Sequence, residues 1–508
     1  MGVPLNATKL SPYVKHGASL LLGLVLVFAF APFNLWPLAL LVPAGLLWLN
    51  RDESSLSRLF VSGWIFGCGY FGFGLYWIYN SLHVFGMAPP LVAGGITALL
   101  AVYLALAPGI VLLAWGYVKR RIGERSIWLL PLLWFALEWF KGWFLTGMPW
   151  LSLGYSQNAS PLSGFAPLVG VYGIGAMCML MSVALVAGLR ERRYPVLSLI
   201  LLVPLTGWLL QQIEWTEPHG QPLRVTMVQG NIPQEIKWRR DQRQNIFNTY
   251  WRETGKFWDS DLVIWPETAL PGQSRDIESF LLAPMQAAAV QKDTSIISGL
   301  VYAGEGEDEF YNSVIQLGQE RGLYHKRHLV VFGEYYPMRW LLDFFSGLIS
   351  IPYSDLTPGP DEQELMIVDG LKLGVSICFE DVFSREIMLA LPQANLLVNL
   401  SNDAWFGNST APHQHMQIAQ MRSLETGRIM MRATNTGISA FIDHRGELMS
   451  VTGQFRTESI TEVVQGRSGV TPFFYFAKVQ WLVSLLPFAF LLLLARRKKQ
   501  TAPPPAQP

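Results

Sequence analysis

The stretch GVSICFEDVF, residues 374–383, ends an apolar run on Cys378 and follows it with Phe379 and two acids, Glu380 and Asp381. A cysteine attacks as its thiolate. It therefore needs a base for its proton and a cation or N–H donors for the oxyanion that forms on the attacked carbonyl. Two other apolar runs end on groups of that kind. LVIWPETALP (262–271) leaves Glu267 just after Trp265-Pro266, where the proline stops a strand-like run. YHKRHLVVFGEYYP (324–337) puts Lys326 before an apolar run and Glu334 after it. Cys378 closes one strand-like run and precedes a helix-like one, a strand-turn-helix setting that presents its sulfur at a sharp turn. Singly, each residue also reads as a small buried hydrophobe, a solvated acid or a helix cap. Together, a thiol, a base and a cation make nucleophilic acyl chemistry.

The elements that must position these groups lie in a chain of unusual composition. Of 508 residues 51% are hydrophobic and only 15% charged, with 19 Trp, which points to a polytopic membrane protein. The formal net charge of +1 gives no global field for nucleic acid. Cys68 and Cys178 fall inside apolar runs, so the three cysteines build neither a disulfide framework nor a CxxC metal site. A spanning helix needs roughly 20 apolar residues. Runs at 17–31, 35–50, 59–80, 89–118, 126–145, 161–189, 195–211 and 473–495 give a count of about eight spans, the first two joined at Pro32-Phe33-Asn34 as a tilted hairpin.

Lys9 and Lys15 before an apolar stretch ending Ala29-Phe30-Ala31 resemble a signal peptide, but immediate continuation into further spans, with Pro32 at the junction, favours an uncleaved anchor. Basic residues cluster at 9–15, 51–58, 119–125, 190–193 and 496–499, while loops 32–34, 81–88 and 146–160 carry no Lys or Arg. By the positive-inside rule both termini are cytoplasmic and residues 212–470 lie on the outer side. Lys141 is an exception, placed to pair with Glu138 one helical turn away.

Residues 212–470 read differently from the rest. Strand-like runs occur at 223–230, 261–265, 294–302, 371–378, 395–400 and 437–443, with helical stretches at 275–292 and 382–391 between them. This is an α/β layered domain of about 250 residues, large enough for its own core. The expected organisation is a transmembrane domain over 1–211, the α/β domain over 212–470, a last transmembrane helix in 471–500 and a disordered tail over 501–508. His413 and His415 stand at i, i+2 without a nearby acid or cysteine in sequence, which favours a structural role over a metal pair. Asn408-Ser409-Thr410 reads as a polar loop. The segment 338–353 clusters Leu341, Phe344 and Phe345 and reads either as an internal helix or as an arm that dips into the outer leaflet.

Glu267, Lys326 and Cys378, in that chain order and each in its own motif, resemble the catalytic set of the nitrilase (carbon-nitrogen hydrolase) superfamily. With the spans added, nearly the whole chain resembles the apolipoprotein N-acyltransferase family. The resemblance implies an αββα sandwich, with Glu267 of WPET as general base, Lys326 of YHKRHLV as the lysine and Cys378 of SICFED as nucleophile. It implies that Glu334 of FGEYYP supports the lysine, that the Phe379 N–H helps hold the oxyanion, and that Glu380 and Trp238 lie near the site. Val331 replaces the proline of the usual LVPFGE, and Phe379 stands where Tyr is common; neither position titrates.

The reaction implied is ping-pong. Cys378 takes an acyl chain from a phospholipid, phosphatidylethanolamine being the expected donor, as a thioester. The chain then passes to the α-amino group of a diacylated apolipoprotein's N-terminal cysteine, with no metal or other cofactor. The location implied is the bacterial inner membrane, with the catalytic domain on the periplasmic side. A membrane-tethered amidase or nitrilase would use the same triad, but a soluble substrate gives no reason for so many spans. A transporter would need more ionisable residues in the spans than Glu138 and Lys141.

Overall fold

In the computed structural model, residues 11–306, 308–335 and 355–500 are described. The segment holding Leu341, Phe344 and Phe345 lies outside them. Among the described residues, the α/β part contains a seven-stranded and a six-stranded sheet. The first runs Glu458–Val464, Leu223–Gln229, Leu262–Ile264, Ser295–Ala303, Phe310–Leu317 and Gly322–His325, with Leu270–Gln273 paired beside Ser295–Ala303. The second runs Leu448–Val451, Ala440–Ile442, Met430–Thr434, Leu396–Ser401, Leu371–Ile377 and Met366–Val368. In each sheet the three central strands are parallel and the strands flanking them antiparallel, apart from Leu270–Gln273, which pairs parallel to Ser295–Ala303.

Period-2 alternation explains how the layers stack. Val225, Met227, Leu262, Ile264 and Ile297 point into a core shared with Leu373, Ile377, Val398 and Leu400 of the other sheet. Their neighbours Val228, Val263 and Ile296 face the opposite way, onto the helical layer carrying Ile246, Tyr250, Leu281 and Met285. Leu397, Met430 and Ala440 do the same on the second sheet, against Ile387, Met416 and Ala419. The result is two sheets face to face with helices outside, the αββα sandwich.

The helix Ala411–Thr426 lies between this sandwich and the apolar helices: Met416 and Ala419 pack on the sheet, while Ile418, Met421 and Leu424 enter the helical core with Phe66, Trp134 and Val183. Polar bonds fix the contact. Gln414 accepts hydrogen bonds from the indoles of Trp150 (2.8 Å) and Trp77 (3.3 Å). Helix Ala166–Arg190 breaks at Gly170, where φ is 63° and a Cβ would sit 2.3 Å from the Phe473 ring. Glu425 caps the resumed helix by accepting from Val171 N at 2.8 Å.

Among the described residues four helical stretches are long and apolar enough to cross a membrane: Pro12–Ala29, Pro90–Lys141, Pro161–Arg190 and Pro472–Leu494. Leu56–Gly74 with Ile78–Phe85 makes a fifth if the pair, bent by 56°, is one span. This differs from the expected count of eight. Leu38–Asn50 and Tyr194–Leu210 are shorter than a full span, and Pro90–Lys141 is 52 residues of joined helices, far more than one crossing uses. Glu138 and Lys141 are both buried, and each turns to the 150–153 segment: Glu138 accepts from Leu153 N (2.7 Å) and Lys141 donates to the Trp150 carbonyl (3.2 Å).

Candidate functional site

The site forms where strands of the two sheets end side by side. Leu371–Ile377 stops at Cys378, which adopts φ 50° and starts the short helix Cys378–Val382. A left-handed backbone on a non-glycine residue is sparsely populated. Here it is held by Asn399, whose amide donates to the Cys378 carbonyl at 3.2 Å, and by Glu380, whose carboxylate accepts from Ile377 N at 2.7 Å. Glu267 follows Leu262–Ile264 in a tight turn, with Thr268 at φ 45°. Gly299 on the neighbouring strand lets this turn approach: a Cβ there would lie 2.4 Å from Thr268 N and 2.7 Å from the Glu267 Cα. Lys326 follows Gly322–His325 and is 1% exposed.

The charged groups are tied into one network. Lys326 Nζ donates to Glu334 at 2.8–2.9 Å. The amide of Asn312 donates to Glu267 Oε1 and to Glu334 Oε1, both at 2.8 Å, so one side chain links the candidate base to the lysine's partner. Burial would strip Lys326 of its charge, but Glu334, then Glu267 and Cys378, outweigh it and raise its pKa. Burial, then the Glu267 carboxylate, pushes the Cys378 thiol up, while Lys326 and a Ser401 hydrogen bond pull it down. The resting sulfur is therefore protonated, and Glu267 and Lys326 are among the charges it feels. The thiol, the Glu267 carboxylate and the buried Lys326 ammonium thus lie within reach of one another's charge.

The other sequence candidates fall around this set. Glu380 is fully buried and accepts from Tyr324 Oη (3.0 and 3.1 Å), Arg327 N (2.7 Å) and His328 N (3.2 Å) as well as Ile377 N. It thereby pins the chain around Lys326 to the Cys378 turn, and burial pushes it up to about 7 against the pull of Lys326. Phe379 is half-buried, with its ring centroid 6.4 Å from Trp150 and 5.1 Å from Phe383. Trp238, half-buried, ends the short helix Gln234–Lys237.

Sequence reasoning missed three parts. One is Asn312. Another is Lys237, whose Nζ donates to the Glu267 carbonyl at 3.1 Å. The third is a buried cluster behind Cys378. Arg432 bridges Asp381 (3.0 Å) and Asp403 (3.2 Å) and donates to Asn399 Oδ1 (2.7 Å), the same Asn399 that holds the Cys378 carbonyl. His415 lies between the same two acids, at 2.8 Å from Asp381 and 3.0 Å from Asp403. Burial opposes charge on both partners, but Arg432 and His415 hold Asp403 down at about 2, and the acids keep His415 raised. The only sequence signal for it was polar residues inside otherwise strand-like or helical runs. His413, on the same helix, is half-buried and feels the charge of Asp403.

Residues 22–184 match the family described as "Apolipoprotein N-acyltransferase N-terminal domain", and residues 224–472 match "Carbon-nitrogen hydrolase". The chain is 41% identical to the apolipoprotein N-acyltransferase of Methylococcus capsulatus over 89% of its own length and 90% of the relative's. The same-named protein of Nitrosomonas europaea is 39% identical over 94% of this chain and 97% of its own. That of Coxiella burnetii is 37% identical over 93% and 99%.

Proposed function

The chain belongs to the apolipoprotein N-acyltransferase family, and from that premise we propose a ping-pong acyl transfer carried by Cys378, Glu267 and Lys326. Membership makes the chain an acyltransferase of the carbon-nitrogen hydrolase superfamily that acts in lipoprotein biosynthesis. The steps are our reading. Glu267 takes the thiol proton as the sulfur attacks the ester carbonyl of a phospholipid, phosphatidylethanolamine in the first instance. Lys326 and the Phe379 N–H hold the oxyanion, the lysophospholipid leaves with the proton, and a thioester remains on Cys378. Glu267 then deprotonates the α-amino group of a diacylated apolipoprotein's N-terminal cysteine, which takes the chain. The observation that carries this reading is the buried hydrogen-bonded chain Lys326–Glu334–Asn312–Glu267, whose end charges reach the Cys378 thiol.

The reading is tested by incubating the protein with phospholipid and a diacylated lipopeptide. The expected product is the N-acylated peptide. Free fatty acid released despite abundant lipopeptide would instead mark a hydrolase with the same triad.

The proposal extends to placement. Residues 1–211 and 471–500 form the membrane part, with eight segments entering the bilayer once the short and bent helices are counted. Residues 212–470 are the catalytic domain; the tail expected over 501–508 lies outside the described residues. Both termini are cytoplasmic and the catalytic domain faces the periplasm of a bacterial inner membrane, as the distribution of Lys and Arg supports. Reporter fusions after residues 85, 155 and 300 should read the outer side and those after 55, 122 and 191 the cytoplasm. A cytoplasmic reading at 300 would contradict this orientation.

A further inference from the structure

Lys237 is 2% exposed, at the end of Gln234–Lys237, a helix tied to the site through Gln234, which accepts from Asn402 at 2.9 Å. Its ammonium carries three donors, and one of them reaches the backbone carbonyl of Glu267 at 3.1 Å. A buried cation is expensive unless charges of opposite sign surround it. The titratable groups it faces are Glu267, charged at rest, and Cys378, charged only once its proton has left. The neighbouring charges pair off otherwise: Lys326 with Glu334, Asp403 with Arg432 and His415, and Arg327 with Glu386. Glu380 is spread over Tyr324 and three backbone N–H groups. Glu267, which also raises Lys326, is the carboxylate whose charge Lys237 feels.

We propose that Lys237 is a positioning residue for the reaction, fixing the Glu267 turn and supplying a second positive charge that keeps the site neutral at every step. The proposal rests on the roles given above to Cys378 and Glu267. In the resting state the negative charge is on Glu267. When the S–H bond breaks and an O–H bond forms on Glu267, the electron pair stays on sulfur, which Lys237 also faces. When the sulfur attacks, the charge moves to the carbonyl oxygen in the same pocket. Without Lys237 the oxyanion would develop in a pocket one charge more negative. Burial lowers the Lys237 pKa to about 8, with Glu267 and Cys378 opposing, so the ammonium persists through neutral pH and is lost above it.

The test compares Lys237→Met, which removes donor and charge, with Lys237→Gln, which keeps a donor for the Glu267 carbonyl. In the full-length protein with phospholipid, both variants should load acyl chain about 10²-fold more slowly at saturating lipid, with little change in KM. Alkylation of Cys378 by neutral iodoacetamide, located by peptide mass against Cys68 and Cys178, should need a more alkaline pH in both. This second readout follows the sulfur and not the yield of folded protein. The alkaline decline of wild-type loading near pH 8 should be missing in the variants. Lys237→Gln behaving as wild type, or alkylation profiles unmoved in both variants, would overturn the role of the charge. Failure of the underlying reading shows separately, as undiminished loading of Cys378→Ala with Lys237 intact.

Discussion

Replacing Glu267 by Gln is expected to slow acyl loading of Cys378 by about 10²- to 10⁴-fold, the range general-base catalysis contributes. The substitution is nearly isosteric. The Glu267 backbone carbonyl still accepts from Lys237, at 3.1 Å, and the side-chain oxygen can still accept from Asn312, as the carboxylate does at 2.8 Å. The proton acceptor is lost, and with it the negative charge that Lys326 and Lys237 feel. The thiol is pushed up first by burial and then by the carboxylate, so removing the carboxylate eases the second effect and leaves the first. The sulfur stays protonated near neutral pH with no base beside it. Stopped-flow or quenched single-turnover loading from phospholipid measures the change, and a decrease of less than threefold would rule out Glu267 as the base.

The second large effect is on stability. Arg432 is fully buried between Asp381 and Asp403, and Arg432→Met leaves His415 as the one cationic group among the described residues still bridging both carboxylates. Breaking a buried ionic cluster on one side costs about 3–5 kcal/mol. For a folded unit of about 250 residues that corresponds to a fall of roughly 10 °C in the midpoint of thermal unfolding. Loading should fall as well, because Asn399 loses its Arg432 donor and with it the fixed Cys378 carbonyl. Asp403, depressed to about 2, contributes stability that is present above its unfolded pKa and lost as pH falls toward 2. His415, raised, contributes stability that is present below its unfolded value and lost as pH rises through its folded one. An unchanged unfolding midpoint in Arg432→Met would show that the cluster does not support the fold.

What could be read from the sequence follows from how each residue is solvated. Glu267 and Cys378 stand at the ends of β-branched runs bounded by turn signals, and those runs fold as Leu262–Ile264 and Leu371–Ile377. Phe310–Leu317 mixes Asn312, Ser313 and Gln316 into its strand because these side chains serve the site and the sheet core, so no clean alternation marks it. Arg432 hides Met430–Thr434 for the same reason. The helix Ala411–Thr426 is buried on almost every side, between the sheet and the apolar helices, and so has no polar face to set a 3.6-residue period. Lys237 and Asn312 act through contacts 30 and 45 residues distant, with Glu267, which no local pattern encodes. The count of apolar runs exceeds that of full-length spans where the runs are short or bent, as in Leu38–Asn50 and at the 56° break after Gly74.

The most direct test of the central claim is the intact mass of the protein after incubation with phospholipid alone, without any acceptor. A covalent step through Cys378 predicts a gain of one acyl group, located on the Cys378 peptide and removed by neutral hydroxylamine as a thioester is. The gain should be absent in Cys378→Ala and retained in Cys68→Ala and Cys178→Ala. No adduct in the wild-type protein under conditions where lipopeptide is acylated, or an adduct that survives in Cys378→Ala, would contradict it.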